Sequence, residues 1–307
     1  MQPHEHSELG FGTSSLARNY TTAAAQRNLA TAFELGITHF DTAPAYGFGH
    51  AEMLLGKFIR DKRQQVTVTT KFGIIPKRVP FVLLPAFNLV RVPLKKLLAA
   101  GVRMTGSKHH HAFAYTKDID TQKLEDSLHN SLRELRTDYV DYYMLHQIDA
   151  SLANRDDVVE TFLKLQEAGK IRRFGLAGSF EEMYGETVLR PEYTTIQFGD
   201  HLNRQLFQSI PGDFPGRKYF RFGVFSLLKE ADKFLRGKKD TGVGPAELCL
   251  AYFSKDRDRC TTLFSSSRDA NIRDVVRSWE KASALPEEML TDFAAYLRKD
   301  QKTMVDG

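Results

Sequence analysis

Eight short apolar runs punctuate this chain, and most are followed by enough residues for a helix. They are LGFGT (9–13), ITHFD (37–41), VTVTTK (66–71), YVDYYMLH (139–146), RFGLA (173–177), TTIQF (194–198), RFGVFS (221–226) and TTLFS (261–265). Their apolar and β-branched make-up is that of strands buried on both faces. Such strands belong to a parallel sheet covered by helices, which sets an α/β fold class.

Helical periodicity fills the intervals. Thr21 and Thr22 can cap a helix carried by Ala25, Leu29, Ala32 and Phe33 and ended by Gly36. Leu124, Leu128, Leu132 and Leu135 form a second stripe. Val159, Phe162 and Leu163 form a third, ended by Gly169. Pro245 opens a fourth with Leu248, Ala251 and Tyr252, and DANIRDVVRSWEKA follows the last strand. The count predicts closure into a (β/α)8 TIM barrel, with residues 1–307 forming a single domain. The competing architecture, an open doubly wound sheet, wants a three-glycine phosphate turn after its first strand, and GFGTSS offers only two glycines.

The spacing breaks once, between the third and fourth strands, where residues 74–118 read as a long insertion. Its segment VPFVLLPAFNLVRVPLKKLLAAG (79–101) is long and apolar enough to span a bilayer. Pro80, Pro85 and Pro93 interrupt it, and Arg91, Lys95 and Lys96 charge it, so it reads as a loop or short helix with no membrane role. Adjacent His109, His110 and His111 cannot all face one metal, and no metal site is expected. Net charge is +5, but the cations are spread without a basic, aromatic-laced stripe, so no nucleic-acid partner is expected. Two cysteines, Cys249 and Cys260, form no redox or metal spacing, and MQPHEHSELGFG lacks the features of a signal peptide. Both observations point to a reducing, cytoplasmic setting. The sequence sets no oligomeric state.

Function gathers at the carboxyl ends of the strands, where a barrel builds its active site. Asp41 ends the second strand, Lys71 the third and His146 the fourth, while Tyr46 follows in the loop after the second. A free phenol with a pKa of about 10 is a poor proton donor near neutrality. A nearby ammonium favours the phenolate and lowers that value, and a carboxylate keeps the ammonium charged. A neutral imidazole can orient a carbonyl oxygen. This set relays a proton to a carbonyl. Reduction also needs a hydride, which implies a nicotinamide cofactor.

The stretches GITHFDTAPAYGFGHAEMLLGKFI, VTVTTKFG and DYVDYYMLHQID together resemble the aldo-keto reductase superfamily. The resemblance runs from GFGTSSL to the last helix and weakens between residues 74 and 118. It implies an NADP-dependent oxidoreductase, with NAD as the alternative, acting on a small aldehyde, ketone or sugar. It implies Tyr46 as general acid, Lys71 and Asp41 as its tuning pair and His146 as substrate orienter. For the cofactor it implies Gly12, Thr13 and Asp41, Ser179 and Gln197 near the carboxamide, and Phe225 with Ser226 as the stacking face. Ser266, Ser267, Arg268 and Asn271 then form the phosphate end, beside Arg273. The family's Ser-Asn after the fifth strand is Ala177-Gly178 here, and its proline after the seventh is Leu227. Ser14, Ser15 and Phe48 are candidates for the substrate wall by position. Two other readings stay open. One is a cofactor-binding accessory subunit on the same scaffold, and the other is Schiff-base chemistry at Lys71.

Overall fold

Thr21 starts the first helix: its hydroxyl accepts the Ala24 N–H at 3.2 Å, and α1 runs Thr22–Glu34. The chain leaves α1 through Gly36 at φ +85°, a left-handed position that glycine takes without strain. The computed structural model describes residues 7–18, 21–75, 114–115, 118–180, 189–209, 216–238 and 241–305.

All eight expected strands form. They are β1 (Leu9–Gly12), β2 (His39–Asp41), β3 (Thr67–Phe72), β4 (Val140–His146), β5 (Ile171–Gly178), β6 (Thr195–Gly199), β7 (Lys218–Phe222) and β8 (Cys260–Phe264). They close into a barrel in the order β1-β8-β7-β6-β5-β4-β3-β2, and every pairing is parallel. The fold is therefore a (β/α)8 TIM barrel. Around it lie α2 (Ala51–Ile59), α3 (Thr121–Leu135), α4 (Asp156–Glu167), α5 (Leu228–Arg236), α6 (Pro245–Ser254), α7 (Asp269–Ala282) and α8 (Glu287–Val305).

Strand alternation sends one set of side chains inward and the other under the helices. Tyr142, Met144, Ala177, Phe220 and Leu263 fill the inside. His39 stacks on Phe220 with ring centroids 4.5 Å apart and meets Tyr142 edge-on. Outside, Phe162 of α4 stacks on Phe174 of β5 at 4.7 Å, and Tyr193 packs against both. Each such aromatic pair adds about 0.5–1.5 kcal/mol beyond its buried area.

Two expectations are corrected. β7 ends at Phe222, not at Ser226: Gly223 turns the backbone at φ +90°, and the Ser226 N–H closes onto the Gly223 carbonyl at 2.8 Å. Leu163 is exposed, and the buried stripe of α4 is Val158, Val159, Thr161, Phe162 and Leu165. Residues 200–217 join β6 to β7 through a 3-10 turn at Leu206–Ser209, with no α-helix among the described residues. Buried Asp200 anchors that crossing by accepting the Leu206 N–H at 2.9 Å and the Tyr252 hydroxyl at 3.0 Å.

The expected insertion begins and ends in an antiparallel pair, Ile74–Ile75 against Ala114–Tyr115. Residues 76–113, which include the segment 79–101 and His109 to His111, lie outside the described residues.

Candidate active site

Register explains why the polar residues meet. Asp41 lies beside Gly12 on one neighbour and Thr69 on the other. A Cβ at Gly12 would stand 3.4 Å from the Phe264 carbonyl oxygen. Lys71 is two residues beyond Thr69, so it shares that inward face one step higher. It pairs with Met144, an inward residue. His146, Ala177 and Gln197 lie in one row across β4, β5 and β6.

The Lys71 Nζ donates to Asp41 Oδ1 at 2.6 Å, to the Thr42 carbonyl at 3.0 Å and to the Tyr46 hydroxyl at 3.4 Å. Three acceptors match the three N–H donors of an ammonium, whereas a neutral amine would turn a lone pair toward one oxygen. The pair is therefore ammonium and carboxylate. Gln197 Nε2 donates to the same Asp41 oxygen at 3.2 Å. The amide is oriented by this contact, because only its NH2 end can serve a carboxylate. Its other end, Oε1, is buried with no partner among the described residues.

Tyr46 is held through its backbone, whose N–H donates to the Ala43 carbonyl at 3.0 Å. Its ring is half-buried on the wall of a cleft, with the Lys71 nitrogen 4.8 Å from the ring centre. The His146 ring meets it edge-on at 5.9 Å.

Burial at the closed end of the cleft sets the protonation states. It works against the Lys71 charge, yet Asp41 and Tyr46 together hold that ammonium above its ordinary range. A nucleophilic lysine needs the opposite direction, which argues against Schiff-base chemistry here. Burial raises the Asp41 carboxyl, against the pull of Lys71 and Gln197. The Tyr46 phenol also moves up: burial outweighs the lowering by Lys71, so the net direction is the reverse of the sequence expectation. The phenol rests fully protonated.

His146 is pushed well below its ordinary value, first by burial and then by Lys71, and is neutral. The unfolded chain thus binds a proton near pH 6.5 that folded His146 refuses. Stability contributed by this residue is present above that pH and falls as pH drops through it. Thermal midpoints measured between neutral pH and about pH 5 should fall less steeply for His146→Gln than for the parent. Equal slopes would remove His146 from the acid response.

The cleft holds about 460 Å³. Among the expected residues, Asp41, Tyr46, Lys71, His146, Gly12, Gln197, Phe225, Ser226 and Ser14 line it. Thr13 lies behind the wall, its hydroxyl on Thr42 at 2.9 Å. Ser179, Ser15 and Phe48 also stand off the wall. Ser266 is buried and closes a turn by accepting the Arg268 N–H at 3.1 Å. Ser267, Arg268 and Asn271 continue from it at the start of α7, outside the cleft proper. Ser265 joins them to the cleft wall.

Sequence reading missed Phe222, Gln147 and Ser265. Phe222 occupies the end of β7, where Phe225 was expected, and is 38% exposed. The glycine after it was the available signal.

The sequence profile of the aldo/keto reductase family covers residues 8–196. Aldo-keto reductase YhdN of Bacillus subtilis is 27% identical over 213 residues, 67% of this chain and 54% of that protein. A putative voltage-gated potassium channel subunit beta of Schizosaccharomyces pombe is 23% identical over 279 residues, 85% of this chain and 68% of that protein. The solved aldo-keto reductase of Klebsiella pneumoniae in complex with NADPH superposes with a TM-score of 0.63 at 19% identity, over 94% of this chain and 90% of that one. The chain spans about half the length of the first curated relatives it matches. By a family profile that spans more than half of its length, on a closed parallel barrel, this chain belongs to the aldo/keto reductase family.

Proposed function

We propose that this chain is a nicotinamide-dependent carbonyl reductase of one barrel domain, taking a small aldehyde, ketone or sugar, with Tyr46 as proton donor. The observation that carries the reading is the unbroken contact chain from Gln197 through Asp41 and Lys71 to Tyr46, beside His146, in one cleft.

A nicotinamide bound in the cleft supplies the hydride. The residues present fit such a group. The orphaned Gln197 Oε1 is an acceptor suited to a carboxamide N–H. The exposed Phe222 ring, with Phe225 beside it, offers a stacking face. Arg268 and the serines before α7 suit the 2′-phosphate that NADP carries and NAD lacks, which favours NADP. Neutral His146 orients the substrate oxygen by a hydrogen bond. The burial-raised phenol keeps its proton until that oxygen gains charge. Once the proton leaves, the ammonium 3.4 Å away stabilises the phenolate.

No helix among the described residues is long and apolar enough to cross a membrane. Cys249 and Cys260 are free and buried, in keeping with a cytoplasmic protein. The similarity to a channel beta subunit favours a second reading, a cofactor-binding accessory subunit. One pair of assays separates the readings. NADPH fluorescence should change saturably on titration with the protein, and a panel of aldehydes and ketones should then oxidise the nucleotide. Binding without turnover favours the accessory subunit. No binding of NADPH or NADH would sink both.

A further inference from the structure

The parallel strands also share a common starting end, opposite the cleft. Inside the barrel, Ala177, Gln197, Phe220 and Leu263 point toward its axis. Alternation then turns Arg173 of β5, Thr195 of β6, Lys218 of β7 and Thr261 of β8 inward as well, at or near the starts of those strands.

Register brings the four together. Thr195 pairs with Gly175 on one side and Lys218 on the other, and Arg173 lies on the same face as Gly175, one step lower. The Arg173 Nη1 donates to the Gly216 carbonyl at 3.1 Å, which carries the guanidinium across β6 to the approach of Lys218. Thr261 pairs with Phe220, the next inward residue above Lys218. A Cβ on Gly10 would stand 3.3 Å from the Thr261 methyl, so that side chain lies within the barrel.

This end has a polar floor and a cationic rim. Thr195 is fully buried and Thr261 is 1% exposed, and neither hydroxyl has a hydrogen-bond partner among the described residues. An unmet buried hydroxyl is unfavourable, and two beside one another point to a group that meets them. Above that floor, Arg173 is exposed and Lys218 half-buried, so solvent reaches both. Burial foremost, with the Arg173 charge acting in the same direction, pushes Lys218 below its ordinary range. An anion between the two cations would favour both charges. The nearby carboxylates are engaged elsewhere: Asp141 accepts from Arg63 at 2.7 Å and Glu192 from Arg190 at 3.1 Å.

The donors set the ligand class. A guanidinium, an ammonium and two hydroxyls all donate, and they come from four different strands. A tetrahedral oxyanion presents acceptors in as many directions, whereas a carboxylate presents two oxygens in one plane.

We infer that the amino-terminal end of the barrel is a binding site for a tetrahedral oxyanion, free phosphate or a phosphate monoester, seated between Arg173 and Lys218 with Thr195 and Thr261 beneath it. The site is separate from the serines and Arg268 before α7, which lie at the cleft margin on the opposite end.

The test follows the thermal midpoint of the full chain in sodium phosphate and in glycerol 3-phosphate, with ionic strength held constant by chloride. The parent midpoint should rise with ligand concentration, as binding to the folded state requires. Lys218→Gln and Arg173→Gln should each need about 10- to 100-fold more ligand for the same rise, the worth of one charge-assisted hydrogen bond. Thr195→Val keeps the side-chain shape and deletes an unmet hydroxyl. It should match or exceed the parent midpoint in chloride and respond more weakly to ligand, which separates lost binding from misfolding. Arg268→Gln should keep most of the parent response. A response to phosphate alone assigns the free ion, and a stronger response to glycerol 3-phosphate assigns the monoester. No rise beyond that in chloride, or a rise that Arg268→Gln abolishes and Lys218→Gln retains, overturns the inference.

Discussion

Tyr46→Phe should lower carbonyl reduction by about 10²–10⁴-fold, the usual worth of a positioned proton donor. That loss corresponds to about 3–5 kcal/mol of barrier. The substitution removes one oxygen and keeps the ring on the cleft wall, so NADPH binding should persist. The Lys71 nitrogen keeps Asp41 Oδ1 and the Thr42 carbonyl as acceptors, so the fold should persist as well. Steady-state rates and a fluorescence titration on the same preparation check both halves. Near-parental turnover in Tyr46→Phe would assign the proton to another group, with Lys71 and His146 as the neighbouring candidates.

Lys71→Met should damage both activity and stability. Lys71 is 1% exposed and Asp41 4% exposed, so the substitution strands a carboxylate in a buried site. Removing one partner of such a pair costs about 3–5 kcal/mol. Turnover should collapse too, because no ammonium remains to meet the phenolate. Asp41→Asn added to Lys71→Met deletes the stranded charge, and it should recover most of the stability and none of the activity. Chemical denaturation and kinetics on the single and double variants measure the two effects separately. A double variant no more stable than Lys71→Met would mean that Asp41 is not the stranded charge.

The barrel was legible because strands buried on both faces read as continuous apolar runs, and all eight stood clear of their neighbours. Asp41, Lys71 and His146 were legible together, because each alone has an ordinary structural reason to end a strand but three consecutive strand ends with titratable side chains would be a coincidence. β7 was misread because KYFRFGVFS carries aromatics on both sides of Gly223, and only the glycine's torsion decides where pairing stops. Gln147 was invisible for the same reason: its backbone angle, not its identity, sets it apart. The direction of the Tyr46 shift was also out of reach. Spacing reveals that an ammonium is near, but the opposing effect of burial depends on how the cleft closes. Ser266, Ser267, Arg268 and Asn271 read as one loop with the cleft, yet β8 ends at Phe264 and a turn carries them to its margin.

The antiparallel pair that joins Ile74–Ile75 to Ala114–Tyr115 ties off the long segment at its base. The distance from Lys71 to His146 is therefore governed by adjacent barrel strands and not by how many residues the tied-off segment contains. A change in the length of that segment leaves Lys71 and His146 where the paired barrel strands hold them.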